Sequence, residues 1–248
     1  MAWLTAVFLL AVRLGPLFVL APVFGSASIP VSLRVMFALA LAALLVSARP
    51  DGLDVGDIHA GNLIQAALAE AAFGMAMAFG LMCAFGAFLF AGRLLDIQVG
   101  FGVATLFDPG TRAASPLLGT ALNLLALTVF FALDGHHLII RAAADSIAHV
   151  PPGAGPARLD AAAVVAAFGA MFGFGLGIVA PALITLLLLD IALGVVARTM
   201  PQMNIFIVAM PLKVAVGLLV LSLSVAQLGP VMHRIFGALN AYWQPLVN

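Results

Sequence analysis

Charge is what this sequence has least of. Only 8% of its 248 residues are Asp, Glu, Lys or Arg, against 65% hydrophobic, and the mean hydropathy is +1.23. A soluble domain averages about 25% charged residues, so a soluble fold is excluded. Ten basic residues balance ten acidic ones without any basic cluster. That leaves no electrostatic footprint for nucleic acid or for docking on anionic lipid. The one cysteine, Cys83, lies inside an apolar run; it excludes an internal disulfide and a cysteine metal site, and reads as a small packing residue. The alternating segments of about 10 residues that build outer-membrane barrels are missing. Also missing are G-x-S-x-G, H-E-x-x-H and a phosphate-cradling glycine loop, so no enzyme and no cofactor is expected. No repeat of fixed period interrupts the chain, which favours one integrated domain over residues 1–248.

What remains is apolar helix. A helix needs about 20 apolar residues to cross a bilayer, and the chain offers about six apolar segments: 2–23, 33–47, 62–92, 117–133, 161–189 and 214–228. The fold expected is therefore an all-α integral membrane protein. The first segment is weakened at Gly15-Pro16 and could be mistaken for a signal peptide; it lacks a basic n-region and carries Arg13 in its middle, so it reads as a retained helix. Segment 33–47 is short for a span. Segment 62–92 exceeds one membrane thickness and must tilt, kink or project. The stretch 190–211 is mixed, with Arg198, Pro201, Gln202, Asn204 and Pro211 among apolar residues. Orientation by loop charge is weak: the acidic loop 49–59 suits the outside, while Arg198, Lys213 and Arg234 lean inside, and simple alternation does not satisfy them all.

Four features invite a functional reading. Gly169, Gly173 and Gly177 form two successive GxxxG spacings, a face for close helix packing within this chain or against another subunit. Glu70, the single glutamate, sits on a face of small residues within a helix. A carboxylate there is either a proton or ion relay, as in a proton-coupled small-molecule transporter, or a polar clamp to a neighbouring helix; the clamp is favoured, with Arg13, Arg34 or Lys213 as partner. Asp134, His136 and His137 suggest a metal, but adjacent histidines point in different directions on a helix, and an interfacial turn explains Asp134-Gly135 better. Ten methionines supply deformable apolar surface, mostly as ordinary core filling.

The odd stretch is 91–118, polar and glycine-rich between two apolar blocks. Gly100 and Gly102 permit backbone that other residues resist, Asp108-Pro109-Gly110 is a turn signal, and Ser115-Pro116 starts the next helix. Residues 91–100 read as helix end and docking surface, and 102–115 as the mobile part. A loop of about 15 residues is tolerated at membrane depth only if protein surrounds it or it lines a water-filled cavity. A solvent-exposed connector satisfies the same composition.

The order and spacing of several weak signals resemble the FliR family of flagellar biosynthesis proteins and its virulence type III secretion counterpart, over nearly the whole chain. These signals are Arg13, Pro22, Pro30 and Arg34; the AG-x-x-x-x-x-Q-x-G run from Ala91 to Gly100; Ala104-Thr105 with Asp108-Pro109; Gly135-His136; and R-x-x-P-Q-x-N from Arg198 to Asn204. The resemblance implies an inner-membrane subunit of the flagellar basal-body export gate. It would assemble with FliP-like, FliQ-like and FlhB-like membrane proteins into a spiral of tilted hairpins in the lipid bilayer, through which unfolded proteins pass. It further implies a plug formed by Val99, Gly100, Phe101, Gly102, Thr105, Phe107, Asp108, Pro109, Gly110, Arg112 and Ser115. Glu70, the three glycines of the GxxxG face, Arg198, Pro201, Gln202 and Asn204 are then expected to serve packing or assembly. The chain departs from that family at Arg93, where an acidic residue is common, at Asp96, where a small one is, and at Asp134, where asparagine is usual.

Overall fold

The structure is a computed structural model that describes residues 2–24, 29–48, 60–101, 116–153, 160–200, 202, 204–224 and 228–247. Among them there are eight helices and no strand: α1 (Ala2–Leu20), α2 (Val31–Ser47), α3 (Ala60–Val99), α4 (Leu117–Ala132), α5 (Gly135–His149), α6 (Ala161–Thr199), α7 (Ile205–Ser224) and α8 (Leu228–Val247). Four contain stretches long and apolar enough to cross a membrane, namely Trp3–Leu20, Gly61–Val99, Ala161–Thr199 and Ile207–Ser224. A fifth crossing is possible if α4 and α5, bent by 69° at their break, count as one. Helix is the form in which an apolar segment can satisfy its backbone hydrogen bonds within lipid.

Several expected boundaries shift, each for a physical reason. Pro16 lies inside α1 without ending it, since a proline in an apolar helix is accommodated where neighbours re-satisfy the freed carbonyl. α3 does not stop at Gly92 but runs 40 residues to Val99, about 60 Å at 1.5 Å per residue. α6 likewise continues to Thr199, and α7 begins at Ile205, so most of the mixed stretch 190–211 is helical. Some polar residues of these extensions find partners in one another. Gln98 and Asp190 bond each other, and Asp190 bonds Lys213.

Sequence reading missed α8. Its Met232, Ile235, Leu239, Tyr242, Trp243 and Leu246 form one buried stripe, while His233, Arg234, Asn240 and Gln244 stay exposed. That is an amphipathic pattern at helical period rather than a span.

The helices divide between two compact units. The first comprises residues 1–84, 131–169 and 236–248, the second 85–130 and 170–235. In the first, Leu9, Leu10 and Leu14 of α1 pack with Ala38, Ala42 and Val46 of α2 and with Ala143 and Ile147 of α5. There α8 is pinned to α3 by polar handles: Tyr242 Oη donates to the Ala76 carbonyl at 3.0 Å, and Trp243 Nε1 to that of Met77 at 3.1 Å. In the second unit, Phe85 meets Phe130 edge-on at 5.5 Å and Phe90 meets Phe172 at 5.0 Å, setting the end of α3 against α4 and α6. Burial is uneven: 56% of the most apolar window of α3 is buried against 6% of that of α7. α3 is a core helix, and α7 presents its side chains outward.

Candidate functional site

Three polar constructions carry the charges that apolar helices would otherwise exclude. The first surrounds Arg13, 1% exposed in the middle of α1, and Glu70, 3% exposed on α3. A guanidinium and a carboxylate match as planar forks. Arg13 Nε donates to Glu70 Oε2 at 2.5 Å, and Nη2 to Oε1 at 3.0 Å. Arg13 Nη1 donates to the Ser146 carbonyl at 3.1 Å, to Ser146 Oγ at 3.3 Å and to the Val150 carbonyl at 2.9 Å. Glu70 Oε1 also accepts the Gly153 N–H at 2.9 Å. Phe73 stacks under the guanidinium, 4.8 Å from its ring centroid. Three sequence-distant segments are thereby tied at one point, and both charged groups are held by several hydrogen bonds. Gly74 allows this: its missing side chain leaves room for the backbone of Arg13, which a Cβ would strike.

Of the two other cations considered for Glu70, Arg34 serves the α1–α2 connection, donating to the carbonyls of Val19 at 3.3 Å and Ile29 at 2.9 Å. Lys213 pairs with Asp190 at 2.5 Å. This second construction is more open. Lys213 and Asp190 are 21% and 34% exposed, and Gln98 Nε2 donates to Asp190 Oδ2 at 3.1 Å.

The third construction forms the base of the central loop. α3 ends at Gly100, whose φ of +99° only glycine adopts without strain and whose N–H donates to the Asp96 carbonyl at 3.1 Å. The Asp96 carboxylate, 4% exposed, accepts the N–H groups of Leu118 at 3.1 Å and Gly119 at 3.3 Å. A carboxylate is unfavourable at the C-terminal end of its own helix and favourable at the N-terminal end of another. Asp96 thus caps α4 across the hairpin. One turn earlier, Gly92 and Gly119 touch backbone to backbone, leaving no room for a Cβ on Gly92. Val99 is buried, close to Gly217 of α7, and Gly100 lies against Met210.

The expected site residues divide accordingly. Val99 is the last residue of α3, and Gly100 and Phe101 follow it. Gly102, Thr105, Phe107, Asp108, Pro109, Gly110, Arg112, Ser115 and Pro201 lie outside the described residues. Arg198 is exposed in the last turn of α6, Gln202 is exposed in a turn, and the Asn204 carbonyl accepts the Ile207 N–H at the start of α7. Gly169, Gly173 and Gly177 are exposed, and a Cβ built on any of them meets nothing within 4 Å among the described residues. Contrary to the expectation that adjacent histidines diverge, His136 and His137 lie with ring centroids 4.1 Å apart beside Asp134. Sequence reading did not single out Ser146 or Asp190, used Gln98 only as a motif position, and noted Asp96 only as a departure. For Asp96 the signal was its place in the last turn of a helix.

Apolar helices of spanning length define an all-α integral membrane protein. Residues 4–239 match the model of the family described as bacterial export proteins, family 1. The chain belongs to that family. It is 32% identical over 238 residues to the flagellar biosynthetic protein FliR of Bacillus subtilis, covering 93% of this chain and 90% of that protein. It is 28% identical over 239 residues to the FliR of Escherichia coli, covering 95% and 90%. It is also 29% identical over 158 residues to the secretion system apparatus protein SsaT of Salmonella typhimurium, covering 62% and 61%.

Proposed function

We propose that this chain is a membrane subunit of a flagellar protein export apparatus, and that the loop between α3 and α4 closes its channel as a plug. The FliR likeness, which covers most of the chain where the SsaT likeness covers less, favours the flagellar system. The observation that carries the plug is the base of the hairpin. A loop that blocks a passage needs fixed ends, and here Asp96 caps α4 while Gly92 and Gly119 bring the two helices into backbone contact. The residues between, 102–115, would form the plug itself.

The rest of the reading follows from exposure. Outward apolar faces on α6 and α7, with the open glycine face of α6, suit lipid and companion membrane subunits of the FliP-like, FliQ-like and FlhB-like kinds in the bacterial inner membrane at the flagellar basal body. Unfolded export substrates would pass through the assembly, and the chain itself performs no catalytic step. Isolation of the tagged chain from its native membrane tests the subunit assignment. Co-purification in a defined complex with other small apolar membrane proteins is the expected result, and a stable monomer contradicts it.

The competing transporter reading needs Glu70 to exchange a proton. Both of its oxygens already accept hydrogen bonds, two from Arg13 and one from Gly153, which favours a clamp. Glu70→Gln therefore weakens folding and assembly without abolishing any proton-coupled uptake of a small molecule. An uptake activity lost in that variant at normal protein level would restore the transporter.

A further inference from the structure

The break between α4 and α5 holds a group of side chains that the export reading does not use. We propose that Asp134, His136 and His137 form a binding site for a divalent transition-metal ion of the zinc class. One potential ligand atom from each of the three lies within 4.8 Å of the others.

Successive residues of a regular helix point about 100° apart, which argues against neighbouring histidines sharing an ion. Here the pair follows Gly135 in the first turn of α5, whose N-cap Asp134 is held in the left-handed region at φ 55°, the one non-glycine residue with positive φ among those described. Asp134 is anchored there by its N–H to the Phe131 carbonyl at 3.2 Å and by its carbonyl to the His137 N–H at 2.9 Å. The turn sets the two imidazoles 38° apart in plane with centroids at 4.1 Å, and puts His137 Nδ1 3.5 Å from Asp134 Oδ1.

A second, independent observation points to a ligand. His136 Nδ1 is buried, and no described residue hydrogen-bonds it. Buried polar atoms in folded proteins almost always have a partner, and a bound ion or water is one of the few explanations when protein supplies none. Two imidazoles and one carboxylate are a donor set that zinc uses where coordination positions stay open. Zinc bonds of about 2.0–2.2 Å require ligand atoms closer together than 4.8 Å. Asp134 and His137 are 72% and 60% exposed, so both are free to rotate inward, and the ion has a direct path from solvent. Bound there, it would join the cap of α5 to its first turn.

The test is calorimetric titration of the full chain, purified in detergent, with zinc chloride. The variants are Asp134→Asn, His136→Gln and His137→Gln, with His149→Gln on the same helix as control. Asparagine tolerates the left-handed region, so Asp134→Asn removes a ligand while keeping the turn. One zinc per chain is expected for the wild type and for His149→Gln, with affinity more than about tenfold weaker in the other three, since even loss of an outer-shell partner costs about 10–100-fold. Equal binding by wild type and Asp134→Asn would reduce the site to adventitious imidazole binding, and no binding by the wild type overturns it outright. Should His136→Gln fail to fold, copper(II) bound to the wild type replaces it. Its paramagnetic resonance spectrum then carries coupling to two imidazole nitrogens, and coupling to a single nitrogen refutes the shared site.

Discussion

Two ion pairs, one in each unit, handle charge in opposite ways. In the first, Arg13 and Glu70 are 1% and 3% exposed and fully hydrogen-bonded. In the second, Lys213 and Asp190 are 21% and 34% exposed, with one further bond from Gln98. A saturated, dehydrated pair fixes one geometry, and removing half of it strands a charge. A half-exposed pair is screened and adjustable, and stabilises little. Glycines within both units divide into closed and open in the same manner. Gly74 and Gly92 are consumed by contacts inside the chain, whereas Gly169, Gly173 and Gly177 face open space. Closed features hold the chain, and open ones are left for other molecules.

Substitutions sharpen that contrast in order of size. Glu70→Ala leaves Arg13 buried without its counter-ion and should cost about 3–5 kcal/mol, read as a fall in thermal unfolding temperature in detergent. Replacing both partners by apolar residues of similar volume recovers much of the loss; failure to recover would mean that the bonds to Ser146, Val150 and Gly153 matter more than the pair. Gly92→Ala forces a methyl into the backbone of Gly119 and should cost about 1–3 kcal/mol, with faster amide exchange at the start of α4. Asp96→Ala removes an N-terminal cap at about 0.5–2 kcal/mol, and the amides of Leu118 and Gly119 should lose protection first.

Lys213→Ala should change stability by no more than about 1 kcal/mol. A larger loss would show that this pair is closed in function as well. Finally, Gly173→Ala should leave the isolated chain as stable or slightly more so, by about 0.5–1 kcal/mol, because alanine is the better helix former and meets nothing there. The same change should lower the yield of assembled complex. An unchanged yield would assign the glycine face to lipid.

Much of the fold could be read from composition. Apolar length announces a membrane helix regardless of context, so α1, α3, α4 and α6 were visible at nearly their true starts. Their ends were less visible, because Asp96, Gln98 and Asp190 look like helix terminators until their partners are known, and those partners lie 22 to 92 residues away. α8 was hidden by its mixed composition, although its apolar spacing was in plain view. Glu70 stood out because a single glutamate in an apolar helix demands an explanation. Arg13 was one of three equal candidates, and only the fold separates them. After Asp134, helical spacing hid the approach of His136 and His137, because it fixes where Cα–Cβ bonds point and not where the rings end.

The central question is whether the loop anchored by Asp96 closes a passage. Deleting residues 102–115 from the chain within the assembled export complex, and recording ion conductance across a planar bilayer or vesicle membrane, measures this directly. A complex that assembles with normal composition yet conducts ions, beside a tight wild-type complex, is the predicted result. A deletion complex that assembles and remains as tight as wild type contradicts the plug.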